Sequence, residues 1–137
     1  MKKYKILVIN PGSTSTKISI HENEECIFST SVFHDSKDLL KFPTINDQLD
    51  YRMNVLWNFI EENHIDLSDI DAVVGRGGGC YSVPGGIYTI DEKLIKDTAE
   101  CKGELYHSSM LGVQMARRVQ EKYGGIAIMT NPPVVDE

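Results

Sequence analysis

The sequence predicts one α/β domain: a mixed β-sheet that starts as an antiparallel meander, gains parallel strands later and carries flanking helices. Three observations point there. Between Tyr4 and Phe33 lie three short strand-like segments parted by turn residues. Two later stretches repeat apolar residues at three- and four-residue spacing, the period of a helix with one buried face. Each of those stretches leads into a short apolar run, as a crossover helix leads into a parallel strand.

Tyr4 to Asn10 is short, β-branched and stopped by Pro11-Gly12, which suits a buried strand. Lys17 to His21 alternates, with Ile18 and Ile20 on one side, and Glu22-Asn23-Glu24-Glu25 forms a turn into a third strand from Cys26 to Phe33. Thr44, with Asp47 three residues on, then caps a long helix whose stripe is Ile45, Leu49, Met53, Leu56 and Ile60, closing at Asn63-His64. Asp71 to Gly75 is the strand expected to pair in parallel with the first. Past a glycine-rich segment, Ile87 to Ile90 reads as a small strand and Glu92 to Cys101 as a short helix. Leu111, Met115, Val119 and Tyr123 mark a second amphipathic helix, ended by Gly124-Gly125, and Ile126 to Met129 is a last buried strand.

Bulk properties narrow the function. A length of 137 residues suits one domain, and 41% hydrophobic with 25% charged residues is ordinary globular usage. The formal charge of -6 argues against a nucleic-acid binder, although local cations can still hold a phosphorylated small molecule. Three widely spaced cysteines, Cys26, Cys80 and Cys101, suit a reducing cytoplasmic setting. The basic start is followed only by the apolar run Ile6 to Ile9, so neither a signal core nor a membrane span is expected.

The most informative stretch is Ile6 to Ile20, "ILVINPGSTSTKISI". A hairpin needs only two turn residues, yet Gly12, Ser13, Thr14, Ser15 and Thr16 stand between the strands. A Walker A reading fails: Lys17 is followed by Ile18 and by strand-like alternation rather than by a hydroxyl residue and a helix. Two readings remain from the residues alone. The loop is an anion-binding nest of backbone N–H groups around Gly12 with the hydroxyls of Ser13 and Ser15, or it is a solvated turn.

Taken in order, "VINPGSTSTKISI", "VVGRGG", "YHSSMLG" and "PPVVDE" resemble the butyrate kinases, which belong to the acetate kinase family within the sugar kinase, actin and heat-shock chaperone ATPase superfamily. The resemblance runs from the first strand to the last residue. It implies a ribonuclease-H-like (actin-like ATPase) domain and transfer of the γ-phosphoryl group of ATP, with Mg2+, to a short-chain carboxylate such as butanoate. It further implies that residues 1–137 are a single N-terminal domain, that a second domain is absent from the chain, that the fragment alone is inactive or nearly so, and that the full-length form is a homo-oligomer.

Position by position, the resemblance puts Asn10 near magnesium and Gly12, Ser13, Ser15 and Lys17 against the phosphates. Arg76, His107 and Asp136 take catalytic positions, and Val83, Pro84 and Ile87 line a pocket for the acyl chain. These types suit phosphoryl transfer, which asks a protein for positioning and charge stabilisation. Arg76 can grip an oxyanion with two parallel hydrogen bonds where a lysine cannot.

Each residue also has a plain structural reading. Arg76 would be a surface charge, His107 a helix-start residue, Asp136 a frayed end, and Asn10-Pro11 a strand stop. His21, His34 and His64 are expected at the surface or at helix ends, and Trp57 and the methionines in helix packing. The alternatives to a butyrate kinase are an acetate, propionate or branched-chain carboxylate kinase, or a non-catalytic phosphate-binding module.

Overall fold

The computed structural model describes residues 3–76, 86–99 and 111–131. Strands β1 (Lys5–Pro11), β2 (Ser15–Glu22) and β3 (Glu25–Phe33) come first. Helix α1 (Ser36–Leu39) follows, then a 3-10 turn (Asn46–Gln48) running into α2 (Leu49–Glu62). The chain continues through β4 (Ala72–Arg76), β5 (Gly86–Thr89), α3 (Glu92–Ala99), α4 (Leu111–Tyr123) and β6 (Ile126–Asn131).

The six strands form one sheet in the order β3-β2-β1-β4-β6-β5. β1, β2 and β3 make the expected antiparallel meander, and β4 pairs in parallel with β1 after the α2 crossover. β6 adds in parallel to β4, and β5 closes the far edge antiparallel to β6. The C-terminal ends of β1, β4 and β6 therefore share one edge of the sheet, where open α/β sheets place their ligands.

Register decides which side chains go inward. Leu7 stands opposite Ile20 and Val73, Ile9 opposite Ile18 and Gly75, and Val73 opposite Ala127, so these residues share a face. They pack with Met53, Leu56 and Ile60 of α2 and with Leu111, Met115, Ala116 and Val119 of α4 in one core. The two predicted stripes are thus the two helix faces that cover the sheet.

Local signals act largely as read. Asn23 adopts φ 56° at the β2–β3 turn, where its side-chain Oδ1 accepts from Tyr4 N at 2.9 Å. Thr44 Oγ1 donates to Asp47 Oδ2 at 2.8 Å while Asp47 N donates back to Thr44 Oγ1 at 3.3 Å, a reciprocal pair just before the 3-10 turn. Thr44 is not the expected helix cap: the N-cap of the 3-10 turn is Ile45, and the α-helix proper begins only at Leu49 with Gln48 as its N-cap, neither making a side-chain cap bond. Gly124 and Gly125 take φ 91° and 79° and end α4.

Three features go beyond the sequence reading or differ from it. The short helix α1 has no long stripe to announce it; Asp35 caps it by accepting from Lys37 N at 2.8 Å. β3 is an outer strand, and the apolar Phe33 at its end is 79% exposed. His34, expected at the surface, is only 7% exposed. Its backbone N–H donates to Thr14 O at 2.8 Å, which draws the residue in against the β1–β2 loop.

Candidate functional site

The β1–β2 loop begins where the ladder ends. Pro11 faces Thr16 across the strands, and between them Gly12 N donates to Ser15 O at 2.7 Å. Helix α2 reaches this loop with one side chain, Arg52, which is 0% exposed. Its Nη2 donates to Ser13 O at 3.1 Å and its Nη1 to Ser15 O at 3.0 Å and Thr16 Oγ1 at 3.3 Å. Its Nε donates to Gln48 Oε1 at 3.1 Å, four residues back at the end of the 3-10 turn.

Every carbonyl from Ser13 to Ser15 is therefore held from the protein side: Ser13 and Ser15 by Arg52, and Thr14 by the His34 backbone. The described peptides are trans, and in a planar trans peptide the N–H points opposite to the preceding C=O. The N–H groups of Thr14 and Ser15 are thereby directed away from Arg52 and His34. Ser13 and Thr14 are exposed and border a depression of about 420 Å³ whose other wall includes Leu39, Phe42 and Pro43.

Beneath the loop, Thr16 Oγ1 lies 2.8 Å from His34 Nε2. Arg52 can only donate, so Thr16 accepts from it and has its own proton left for that nitrogen. Burial, and secondarily the Arg52 charge, lower the His34 pKa from 6.5 to about 4, which keeps the ring neutral. Burial likewise brings the Arg52 pKa down to about 10, still above neutral pH, so the guanidinium remains charged. Among the described residues no carboxylate forms a salt bridge with it.

Beside the loop, the sheet lines up a second set of groups. Asn10 faces Lys17, and Arg76 faces Thr130, which in turn faces Ile87. Ile9 pairs with Gly75, so Asn10 and Arg76 are the next residues along two parallel neighbours. Lys17, Asn10, Arg76, Thr130 and Ile87 therefore form one row on one face of the sheet. With strands about 4.8 Å apart, Lys17 and Ile87 each start about 10 Å from Arg76 on either side. Lys17 and Arg76 are exposed, and Ile87 is 72% exposed.

Glycine permits the close approach that brings α4 to this edge. A Cβ on Gly75 would lie 2.3 Å from the backbone oxygen of Gly112. One on Gly112 would lie 3.1 Å from Arg76 O and 3.3 Å from Pro11 Cδ. The first turn of α4 thus sits directly on the ends of β1 and β4.

The expected site residues divide accordingly. Gly12, Ser13 and Ser15 are in the clamped loop, and Asn10, Lys17, Arg76 and Ile87 are in the adjoining row. Val83, Pro84, His107 and Asp136 lie outside the described residues. Arg52, His34 and Thr16 were not foreseen. The signal for Arg52 was available: it falls three residues after Leu49 and four before Leu56, inside the apolar stripe.

No group of three or more His, Cys, Asp or Glu side chains that could hold a metal ion occurs among the described residues. Among the described residues the site offers the neutral oxygen of Asn10 and serine hydroxyls, donors that suit a hard cation such as magnesium accompanied by phosphate oxygens.

No family model matches the chain. Butyrate kinase 2 of Clostridium acetobutylicum is 42% identical over 136 residues, covering 98% of this chain and 38% of the relative. A probable butyrate kinase of Listeria innocua is 38% identical over 135 residues, with the same coverage. Among solved structures, acetate kinase from Entamoeba histolytica superposes with a TM-score of 0.55 at 17% identity, over 93% of this chain and 34% of that one. A propionate kinase from Francisella tularensis gives 0.51 at 16% identity, over 93% and 36%. The PPX-GPPA enzyme of Aquifex aeolicus gives 0.53 at 13% identity, over 96% and 55%. The fold is the mixed α/β fold of these solved acetate and propionate kinases, and butyrate kinase homologues match 98% of the chain. The chain spans about 38% of the length of these curated relatives.

Proposed function

From this homology to butyrate kinases, we propose that the chain is the N-terminal, phosphate-handling domain of a carboxylate kinase. In the reaction a carboxylate oxygen attacks the γ-phosphorus of ATP. A new P–O bond forms, the bond to the β-phosphate oxygen breaks, and acyl phosphate and ADP result. Butanoate is the acceptor we favour, because the named relatives are butyrate kinases. A cytoplasmic setting and a homo-oligomeric full-length form belong to the same proposal.

The observation that carries the reading is the clamped loop beside the Lys17–Asn10–Arg76 row. The N–H groups of Thr14 and Ser15 with the hydroxyls of Ser13 and Ser15 suit phosphoryl oxygens. Lys17 supplies a mobile positive charge next to them. Arg76 is assigned to the developing charge where the carboxylate meets phosphorus, since its fork holds two oxygens at once. Magnesium bound to the phosphates would screen their charge from the incoming carboxylate, with Asn10 the candidate protein oxygen beside it. His107 and Asp136 keep their proposed catalytic roles. Ile87, two strands from Arg76 in the row, is assigned with Val83 and Pro84 to the acyl chain.

A cleft of this kind needs a second wall to hold ATP and exclude water, so residues 1–137 alone are proposed to turn over slowly or not at all. The test is a panel of straight-chain acids offered with ATP and magnesium to the complete polypeptide carrying this domain, with acyl phosphate trapped by hydroxylamine. The reading expects product with butanoate exceeding that with acetate. A maximum at acetate or propionate transfers the assignment to those kinases. No product with any acid, from protein that binds ATP, contradicts a carboxylate kinase and favours a phosphate-binding module.

A further inference from the structure

Arg52 raises a question that packing does not answer. A guanidinium with no exposed surface is expensive to bury, and buried charges are ordinarily paired with an opposite charge. Here its partners are two backbone carbonyls, one hydroxyl and one neutral amide oxygen. These engage all three of its nitrogens and, among the described residues, leave its charge without a counter-ion. The ring facing the same Thr16 hydroxyl, His34, is neutral. The remaining positive charge therefore acts on the loop it holds.

We propose that Arg52 is a positioning residue for phosphoryl groups at the β1–β2 loop. Its fork pins the carbonyls of Ser13 and Ser15, which sets the Thr14 amide beyond the first of them toward the ligand before it arrives and fixes the loop end that carries Ser15, and its charge favours an anion there. This rests on the reading of the loop as a phosphate site. Two physical effects combine. A loop already in its binding form loses less entropy when the ligand binds. A cation in a low-dielectric surrounding also attracts an anion more strongly than one in water. Lysine cannot replace it, because a single ammonium on a flexible stem does not reach two carbonyls in a fixed fork.

The experiment uses the 137-residue chain and inorganic pyrophosphate as the probe, followed by amide and carbonyl NMR, with Arg52→Lys and Gln48→Glu variants. Arg52→Lys keeps the charge and loses the fork. It is expected to weaken pyrophosphate binding at least tenfold and, in ligand-free protein, to shift the carbonyl carbons of Ser13 and Ser15 upfield. Gln48→Glu keeps the acceptor for Arg52 Nε and adds the missing counter-charge. It is expected to retain or raise the melting temperature while weakening binding at least threefold, a combination that a purely structural arginine does not produce.

Wild-type affinity in Arg52→Lys overturns the positioning role, and wild-type affinity in Gln48→Glu overturns the charge role. Should Arg52→Lys fail to fold, Gln48→Glu decides alone. If the unaltered chain binds no pyrophosphate, the phosphate reading of the loop fails. The clamp is then judged on the ligand-free carbonyl shifts, and their constancy in Arg52→Lys overturns it separately.

Discussion

The Nη2 of Arg52 donates to the carbonyl oxygen of Ser13 at 3.1 Å, joining the middle of a helix to a loop 39 residues earlier. This bond and its companion to Ser15 at 3.0 Å hold a loop that otherwise contains only small and hydroxyl-bearing residues. Truncation to Arg52→Ala removes both and leaves a cavity beneath the loop. Urea unfolding of this variant should show a loss of about 2–4 kcal/mol. A change below about 0.5 kcal/mol, the range of ordinary surface substitutions, would contradict the clamp.

His34 gives the fold a pH dependence whose sign follows from its lowered pKa. Between pH 6.5 and about 4 an unfolded chain protonates this histidine and the folded chain does not. Its contribution is fully present above pH 6.5 and is lost as pH falls through that window, by about 3 kcal/mol at most. Subtracting the stability profile of His34→Asn from that of the wild type isolates the effect. A difference that stays flat from pH 7 to 4 would mean the ring titrates as freely as in a peptide.

Gly75 makes a sharper mechanical prediction. An added methyl group at this position would lie 2.3 Å from the Gly112 carbonyl oxygen, and neither backbone can yield without moving α4 from the sheet. Gly75→Ala should destabilise by about 1–3 kcal/mol or more. It should also shift the amide resonances of Arg76 and Gly112 together, and unchanged resonances at both would contradict the contact.

Arg76 is exposed at the end of β4, so changing it should leave folding intact. If the proposed carboxylate kinase activity holds, Arg76→Lys is expected to reduce turnover by on the order of a hundredfold or more, because one point charge replaces a two-pronged grip. Turnover within a fewfold of wild type would remove Arg76 from the mechanism.

The sheet was legible because each strand is a short β-branched run with a clear stop, and because a crossover helix constrains its neighbours to be parallel. The Gly124-Gly125 stop was legible for the same local reason, whereas Thr44 pairs with Asp47 without capping the helix. Arg52 was not read as functional because its partners, Ser13, Ser15 and Thr16, lie 36 to 39 residues away, beyond any local pattern. His34 was placed at the surface because a lone histidine after a strand carries no periodicity. Its burial comes from the loop folding over it. The residue types at Asn10, Lys17 and Arg76 were evident from the letters, but their alignment in one row depends on parallel register, which no single segment encodes.

If the clamped loop and the adjoining row together bind phosphates, an amide NMR titration of this chain with MgATP up to millimolar concentration should show it. Saturable shifts are expected on Gly12 to Ser15, Asn10, Lys17 and Arg76, with little change on the exposed strand β3. Shifts confined to other parts of the molecule, or none at those residues, would contradict it.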